Sequence, residues 1–310
     1  MKFAKLLHNP LAGEGNFDKD ELISMIQSAG FGCSYSSTKK DGWEKIESKE
    51  IDFIILAGGD GTVRKVAESL LNKTLLDRKY PIGLLPMGTA NNIAKTLGIP
   101  RNDPHQVIGS WNENRIKKYD VGRIYGIKKS KFFLESFGVG LFIELMLQME
   151  KREKDNKDNK ESVEKSLQTA LEVLRDLIAD ARARYCRINL DGVVHKGNYL
   201  MVEVMNTVSI GPKLNLAPFA DPSDGEFEVV MVTESEREKF IAYVDSMIQG
   251  KDEPPFFNIV KARKLEIFWD GSRAHVDDEV VEIKNESSIK IELMHGLLEF
   301  FISENGATQS

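Results

Sequence analysis

The stretch ILAGGDGTVRKVAESLL, residues 55–71, is the most informative about the fold of the first part of this sequence. An apolar run leads into three glycines around one acidic residue, Asp60, and apolar residues then recur at helical spacing. This order predicts a buried strand, a sharp turn and an amphipathic helix. The backbone of a glycine turn and the N-terminus of the following helix together favour bound anions. The stretch therefore predicts a phosphate-binding loop.

Asp60 is the unexpected residue of this loop, because a carboxylate repels a phosphate. A Mg²⁺ ion between the two groups would remove the conflict, since Mg²⁺ binds carboxylate and phosphate oxygens together. An aspartate that only caps a helix after a glycine turn is an equally good interpretation of GGDG taken alone. The motif leaves both a metal contact and a helix cap open.

A second turn of the same kind lies in PMGTANNIAKTLGIP, residues 86–100. Here Gly88 and Thr89 follow a predicted strand, and a helix is predicted from Asn91 to Leu97. Thr89 and Asn91 can donate hydrogen bonds to phosphate or sugar oxygens. This turn therefore repeats the arrangement around Asp60.

The turns follow short apolar segments, which are typical of strands covered by helices on both faces. These segments are FAKLL (3–7), FIILA (53–57) and PIGLLP (81–86). NPLAGEG, residues 9–15, adds a third polar turn after the first strand. Repeated strand, turn and helix units predict an open α/β sheet, which binds ligands at the carboxyl ends of its strands. We therefore expect the polar turns to share one edge of that sheet.

From about Tyr119 the pattern changes to short, often alternating segments separated by Gly, Asp and Pro. This pattern predicts an antiparallel β-sandwich. A helical segment near residues 145–185 interrupts it, where a charged run precedes apolar residues at helical spacing. We expect this helix to pack on the β domain, although an interfacial helix on a membrane is an alternative.

Composition limits the classes of partner. The sequence has 42 Lys and Arg against 48 Asp and Glu, a net charge of -6, which does not favour a nucleic-acid partner. Cys33 and Cys186 lie far apart and indicate neither a zinc site nor a disulfide framework, which fits the cytoplasm. No apolar run approaches the roughly 20 residues of a membrane span. We therefore expect a soluble or peripheral cytoplasmic protein.

Taken together, NPLAGEG, GGDGTVRKV and PMGTANNIA resemble the catalytic domain shared by diacylglycerol kinases, sphingosine kinases and soluble bacterial lipid kinases. In the second half, NTVSIGPKLNLAPFADPSDGEFEVV and HVDDEVVE resemble later elements of the same family. The resemblance covers nearly the whole chain. It implies an α/β nucleotide-binding kinase domain over residues 1–120, rejoined by residues 295–310, and a β-sandwich lipid-binding domain over residues 121–294.

The resemblance also implies roles for single residues. Asp277 would accept the proton of the lipid hydroxyl, with Glu279 in support or as a metal ligand. Asp60 would serve catalysis and Mg²⁺ binding, and Asp224 would bind a structural cation in the β domain. The implied nucleotide-binding residues are Asn9, Gly13, Thr38, Gly58, Gly59, Asp60, Gly61, Thr62, Gly88, Thr89 and Asn91.

The residues around Asp277 are open to plainer interpretations. Without the resemblance, the acids of HVDDEVVE would be solvated residues of a turn between two strands. His275 could tune the proposed base, but an ordinary strand histidine is the commoner case. The acyl chains of a lipid would need an apolar groove, for which SFGVGLF offers candidates, although core positions are the commoner use of such residues. These candidates are Phe137, Val139, Leu141 and Phe142.

The predicted function is an ATP- and Mg²⁺-dependent kinase that transfers the γ-phosphate to a hydroxyl of diacylglycerol or a related lipid, at a membrane surface that it visits transiently. A homodimer is left open. Two departures from the family pattern bear on catalysis, because Asn92 replaces a common Asp and Asp278 replaces a common Gly. They leave a non-catalytic nucleotide- or lipid-binding protein as an alternative. A kinase of a soluble hydroxyl, such as an NAD kinase, is another.

Overall fold

A computed structural model describes residues 1–12, 17–44, 51–72, 80–128, 131–155, 162–251, 255, 257–284 and 288–303. The chain divides into two compact units. The first comprises Met1–Asp120 with His295–Ser310, and the second comprises Val121–Met294.

The first unit is built on a parallel sheet with the strand order β4-β3-β1-β2. All six residues of β3 are buried, as expected for a strand covered on both faces. The elements are β1 (Phe3–His8), α1 (Lys19–Ser28), β2 (Gly32–Ser37), β3 (Phe53–Gly58), α2 (Asp60–Asn72), β4 (Ile82–Pro86), α3 (Asn92–Thr96) and α4 (Pro104–Ser110), followed by a 3₁₀ turn at Trp111–Glu113.

The register of these strands brings their carboxyl ends together. His8 lies opposite Ser37 on one side and Ala57 on the other, and Gly58 lies opposite Pro86. The turns that follow β1, β2, β3 and β4 therefore start from the same edge of the sheet, as the sequence predicts.

Capping residues set the ends of several helices. The Asp18 carboxylate accepts N–H bonds from Asp20 and Glu21 at the start of α1, at 2.8 Å each. Asp103 caps α4 in the same way, directly before Pro104. Gly98 has a φ of +66° just beyond α3, a conformation that ends a helix without strain in glycine.

The second unit is an antiparallel β domain that includes three helices among its described residues. Its long strand β9 pairs antiparallel with β7, β8 and β12. Two strands, β5 (Ile116–Tyr125) and β17 (Ile289–Phe301), belong to both units, since the boundaries of the units fall within them. The other elements are β6 (Phe132–Phe133), β7 (Ser136–Gly140), α5 (Leu141–Asp155), α6 (Val163–Asp180), β8 (Arg184–Leu190), β9 (Val193–Met205), β10 (Ser209–Ile210), β11 (Leu214–Asn215), β12 (Phe227–Thr233), α7 (Arg237–Ile248), β13 (Ile259–Ala262), β14 (Lys264–Trp269), β15 (Arg273–Val276) and β16 (Glu279–Glu282), with a 3₁₀ turn at Glu234–Glu236.

Alternation along β9 divides the apolar interior of the second unit. Val202 and Val204 belong to a core built from strands, whereas Met201 and Met205 face a second core shared with α5, α6 and α7. This is the period of two expected when both faces of a strand are buried. The predicted fold class, an N-terminal open α/β domain with a C-terminal antiparallel β-sandwich, is confirmed.

One detail differs from the sequence-based expectations. The segment near 145–185 contains two helices, and the first half of the charged run belongs to α5.

The candidates for an acyl groove are divided between core and cavity. Phe137 and Val139 are completely buried in the strand core, which is the commoner use expected of them, and they do not line a groove. Of the four candidates for an acyl site, Leu141 lines a cavity of about 580 Å³.

Among the helices that the structure describes, none has the length and apolar character to cross a membrane.

Candidate active site

A cavity of about 310 Å³ lies in the first unit where the turns after β1, β2, β3 and β4 meet. This volume is at the lower end for small-molecule sites and suits part of a nucleotide, such as its phosphates. Most of the predicted nucleotide-binding residues line it. The lining residues are Asn9, Leu11, Ala12, Thr38, Lys39, Gly59, Gly61, Thr62, Lys65, Gly88 and Thr89.

Two glycines allow the loops after β3 and β4 to touch. A Cβ atom at Gly88 would lie 2.5 Å from the Cα of Gly59, and a Cβ atom at Gly59 would lie 2.8 Å from the Cα of Gly88. Real Cβ atoms do not approach backbone atoms so closely, so any side chain here would push the loops apart. The glycines are therefore required by the contact between the loops, which forms one wall of the cavity.

Asp60 does not line the cavity but joins the two loops. Its carboxylate accepts N–H bonds from Asn92 at 2.9 Å and from Ile93 at 3.2 Å, and so caps α3. Asn91 does not cap this helix: it has a φ of +54°, and its side chain bonds to both backbone groups of Gly88. The helix-cap interpretation of GGDG is thus observed, but the capped helix follows the next strand.

Polar side chains on the β1, β2 and α2 side of the cavity hold one another. The Asn9 amide donates to the Thr62 hydroxyl at 3.2 Å, while its oxygen accepts the N–H of Leu11 at 3.2 Å. The Thr38 N–H and hydroxyl both donate to the carbonyl of His8. The bonds of Asn9 and Thr38 fix the direction of the groups that face the cavity. The predicted Gly13 lies outside the described residues.

Two lysines at the cavity were not predicted from the sequence. Lys65 donates from Nζ to the Thr38 carbonyl at 2.9 Å and lies 4.9 Å from the ring centre of Trp43. Lys65 comes three residues after Thr62, so both lie on one face of α2, which is the signal that could have revealed it. Lys39 directly follows Thr38 and also lines the cavity. The two ammonium groups give the cavity the positive charge that a phosphate ligand requires.

Asp277 occupies the turn between β15 and β16 in the second unit and is buried, with 6% of its surface exposed. Its carboxylate accepts N–H bonds from Leu134, Glu135 and Ser136, the shortest at 2.8 Å. Such a nest of backbone donors stabilises the charged carboxylate. Asp277 is therefore a buried, fixed carboxylate, unlike an ordinary solvated turn residue.

The other two acids of this turn differ from Asp277 in exposure. Asp278 is exposed, and Glu279 is half-buried at the start of β16, opposite Val276. Asp278 stands where the family pattern commonly has Gly, but the positive φ in this turn, +51°, belongs to Asp277. An aspartate tolerates this conformation better than most residues, because its short side chain bonds to nearby backbone groups.

A buried histidine and a buried glutamate lie beside this turn. The Nε2 of His275 is 2.8 Å from Glu203 Oε2, and its Nδ1 is 3.0 Å from the carbonyl of Asp277. Burial alone would lower the pKa of His275, but the Glu203 carboxylate and the Asp277 residue together raise it above its usual value. Glu203 was not predicted from the sequence.

The cation expected at Asp224 does not fit the arrangement found there. One carboxylate oxygen of Asp224 lies 2.6 Å from Lys261 Nζ, and the other accepts the N–H of Glu226 at 2.9 Å. The same ammonium lies 3.4 Å from the buried Glu228 carboxylate. Lys261 thus supplies the positive charge at the place where the resemblance implied a metal ion. In the part of the chain that the structure describes, no group of three or more His, Cys, Asp or Glu residues is arranged to hold a metal ion.

Two family models match the chain. Residues 4–124 match the diacylglycerol kinase catalytic domain, and residues 149–298 match the YegS C-terminal NAD kinase beta sandwich-like domain. A diacylglycerol kinase of Bacillus subtilis strain 168 is 26% identical over 258 residues, which cover 81% of this chain and 80% of the relative.

Solved structures share the fold over nearly the full length. A diacylglycerol kinase from Bacillus anthracis has a TM-score of 0.72 at 21% identity, covering 98% of this chain and 97% of that one. An NAD kinase from Archaeoglobus fulgidus in complex with ATP has a TM-score of 0.52 at 13% identity, covering 99% of this chain and 95% of that one. With the family matches in both halves, the chain belongs to the diacylglycerol kinase catalytic-domain family of lipid kinases.

Proposed function

We propose that this chain transfers the γ-phosphate of ATP, with Mg²⁺, to a hydroxyl of diacylglycerol or a closely related lipid. Two observations in one family member support the proposal. The first unit offers a glycine-lined cavity with two lysines. The second offers the buried carboxylate of Asp277. Phosphoryl transfer requires such positioning and charge stabilisation more than covalent chemistry by the protein.

The cavity of the first unit would hold the phosphates of ATP. Thr62, Thr89 and the loop backbone can donate hydrogen bonds to phosphate oxygens, and Lys39 and Lys65 can neutralise their charge. Mg²⁺, when bound with ATP, supplies further neutralisation at the transferred phosphoryl group.

Asp60 is the residue proposed to hold that Mg²⁺, through one of the waters that the ion keeps, because its carboxylate does not line the cavity. A single carboxylate is enough, because Mg²⁺ usually keeps several waters and takes its other ligands from the nucleotide phosphates. The carboxylate of Asp60 already accepts two N–H bonds from the start of α3, so its direction is fixed before any ion binds. Asp60 would thus connect the metal to the loop after β4.

Asp277 would act on the lipid. A hydroxyl beside its carboxylate would give up its proton to Asp277 as the hydroxyl oxygen bonds to the γ-phosphorus and the bond to ADP breaks. Glu279, two residues along the hairpin, would support this role by its negative charge. The reaction requires the nucleotide and the hydroxyl to come together in line, and it requires the enzyme to visit the membrane that holds its lipid.

The test is transfer of labelled γ-phosphate from ATP and Mg²⁺ into a panel of lipids in mixed micelles, with NAD and water as other acceptors. Labelled diacylglycerol is the expected product, and omission of Mg²⁺ should abolish it. ATP binding without labelling of any lipid would favour a non-catalytic binding protein.

An NAD kinase is the second candidate. It is favoured by the C-terminal family model, which is described as NAD kinase beta sandwich-like, and by the likeness of fold to the archaeal enzyme. The same experiment separates the two, since labelling of NAD in place of lipid would replace the leading proposal.

A further inference from the structure

We infer that Glu203 and His275 form a buried positioning pair that fixes Asp277 for its work on the lipid hydroxyl. The inference rests on the proposed function and extends it. Neither residue is assigned to ligand contact, since both side chains are completely buried. They would act through the backbone of Asp277, and so count as positioning residues.

The hydrogen bonds of His275 define what the pair does. Nδ1 faces the carbonyl of Asp277, which can only accept, so Nδ1 must carry a proton and donate it. Nε2 faces Glu203 Oε2 at 2.8 Å, and one further proton lies between these two atoms. The imidazole is therefore held at both ends, and its Nδ1–H is aimed at the Asp277 carbonyl.

The sheet is built to allow this contact. Gly138 on β7 pairs with Glu203 on β9 and with His275 on β15, so it lies between them in the sheet. A Cβ atom at Gly138 would overlap the Glu203 carboxylate, whereas glycine leaves the space in which the two side chains meet. Phe142 covers the imidazole, with ring centres 5.1 Å apart. The absence of a side chain at Gly138 thus allows the buried Glu203 carboxylate to contact the buried His275 imidazole.

The consequence for Asp277 is that each of its polar groups is held. Its N–H donates to the Ser136 carbonyl at 2.8 Å, and its own carbonyl accepts from His275. Its carboxylate accepts the N–H bonds of residues 134–136. The φ of Asp277 is +51°, a conformation that persists only where surrounding contacts hold it, and the His275 bond is one of these contacts. Loss of the pair should loosen the carboxylate without removing it.

A buried ion pair could also serve stability alone. The two roles differ in what a variant changes, since a stability role predicts a lower melting temperature and an unchanged turnover of the folded enzyme. The positioning role predicts a lower kcat at unchanged ATP affinity. It also predicts that the effect disappears when Asp277 itself is absent, because residues that act through one group are not additive.

The experiment compares Glu203→Gln, His275→Gln and Gly138→Ala with Val229→Ala, a change of a fully buried residue in the same unit. We expect the first three to lower kcat for diacylglycerol at least 10-fold, with the Kd for ATP unchanged, and Val229→Ala to keep kcat. Glu203→Gln keeps the side-chain volume, so it remains informative if Gly138→Ala does not fold. In the Asp277→Asn background, Glu203→Gln should cause no further loss.

A second measurement keeps this inference separate from the proposed function. Hydrogen exchange of the Leu134, Glu135 and Ser136 amides measures how stable their hydrogen bonds to the Asp277 carboxylate are, without any assay of activity. We expect faster exchange of these amides in His275→Gln and Glu203→Gln, and not in Val229→Ala. Unchanged exchange in all variants, or a full kcat in Glu203→Gln, would overturn the inference. A wild-type enzyme that labels no lipid would overturn the proposed function while this measurement still decides the role of the pair.

Discussion

The loops of the first unit and the turn at Asp277 use backbone N–H groups for opposite purposes. In the first unit, turns after four parallel strands surround a cavity that carries two lysines. At Asp277, three consecutive N–H groups donate hydrogen bonds to a carboxylate of the protein itself. A turn rich in N–H donors can thus remain available to bind an anionic ligand, or it can fix an anionic side chain of the protein. In the proposed function, the first arrangement binds the ATP phosphates and the second faces the acceptor hydroxyl.

The largest effect is expected at Asp277. Asp277→Asn keeps the shape but removes the charge, so we expect a loss of roughly 10²- to 10⁴-fold in kcat, the usual contribution of a general base. Binding of ATP, measured by calorimetry, should be unchanged. Asp278→Asn, at the exposed neighbour in the same turn, is the matched control and should retain most activity.

Glu228 is a buried carboxylate that, unlike Asp277, has no nest of backbone N–H groups among the described residues. Burial raises its pKa to about 7, against the opposing effect of Lys261. Between the unfolded and folded pKa values, the folded protein holds a proton that the unfolded chain has lost. Stability should therefore fall as pH rises from about 4.5 to 7, by up to about 3 kcal/mol.

Denaturant unfolding at a series of pH values measures this slope. Glu228→Gln cannot titrate, so it should flatten the slope and be the more stable protein at pH values above that window. Glu226→Gln, on the more exposed neighbour, should leave the slope as it is. A slope that survives in Glu228→Gln would refute the assignment.

The contact between the two glycine loops can be broken directly. Gly88→Ala places a Cβ atom 2.5 Å from the Cα of Gly59, so the loops must separate. We expect ATP affinity to fall roughly 10- to 100-fold, since phosphate-binding groups move by a fraction of an ångström or more. Gly109→Ala is the matched control, because a Cβ atom there meets nothing within 4 Å. Equal ATP affinities in the two variants would argue against the cavity as the phosphate site.

Lys65 tests the charge of the cavity. Lys65→Met removes the ammonium but keeps an apolar stem beside Trp43, so the KM for ATP should rise about 10-fold. Lys239→Met, at an exposed lysine on α7, should leave KM unchanged. The wild-type KM should also rise with salt more steeply than that of Lys65→Met, because one cation has been removed.

The smallest effect is expected at Lys261. In the absence of ATP, the wild-type melting temperature should not respond to EDTA or to millimolar Mg²⁺. Lys261→Met leaves the acids of this cluster without their cation and should lose about 1 kcal/mol of stability, given the partial exposure of the pair. Added Mg²⁺ or Ca²⁺ should restore part of it. A wild-type protein stabilised by these ions without ATP would show that Asp224 binds a metal after all.

Much of the fold could be predicted because β1, β3 and β4 are continuous apolar runs followed by glycine turns. β2 could not, because GCSYSS is polar and has neither an apolar run nor a clear alternation. Its place beside β1 comes from pairing with a strand already in the sheet. Thr38, which follows β2, was assigned through the family resemblance alone.

Most of the loop residues that line the cavity could be predicted from the sequence, but the contacts of the candidate site could not. The N–H groups that Asp60 receives come from residues more than 30 positions later. The nest around Asp277 and the partner of His275 are more distant still. Contacts between residues so far apart leave no local pattern in the sequence. From the sequence alone, Asp277 therefore looks like an ordinary acidic turn residue, and Glu203 looks like any other strand residue.

In the proposed function, the glycine loops bind ATP and Asp277 serves the transfer step, and one paired measurement tests this division of roles. ATP affinity and the rate of transfer to diacylglycerol at saturating ATP are measured for the wild type, Gly88→Ala and Asp277→Asn. We predict that Gly88→Ala loses affinity and keeps much of the saturated rate, whereas Asp277→Asn keeps affinity and loses the rate. An Asp277→Asn enzyme that still transfers phosphate, or a Gly88→Ala enzyme that binds ATP as the wild type does, would contradict the account.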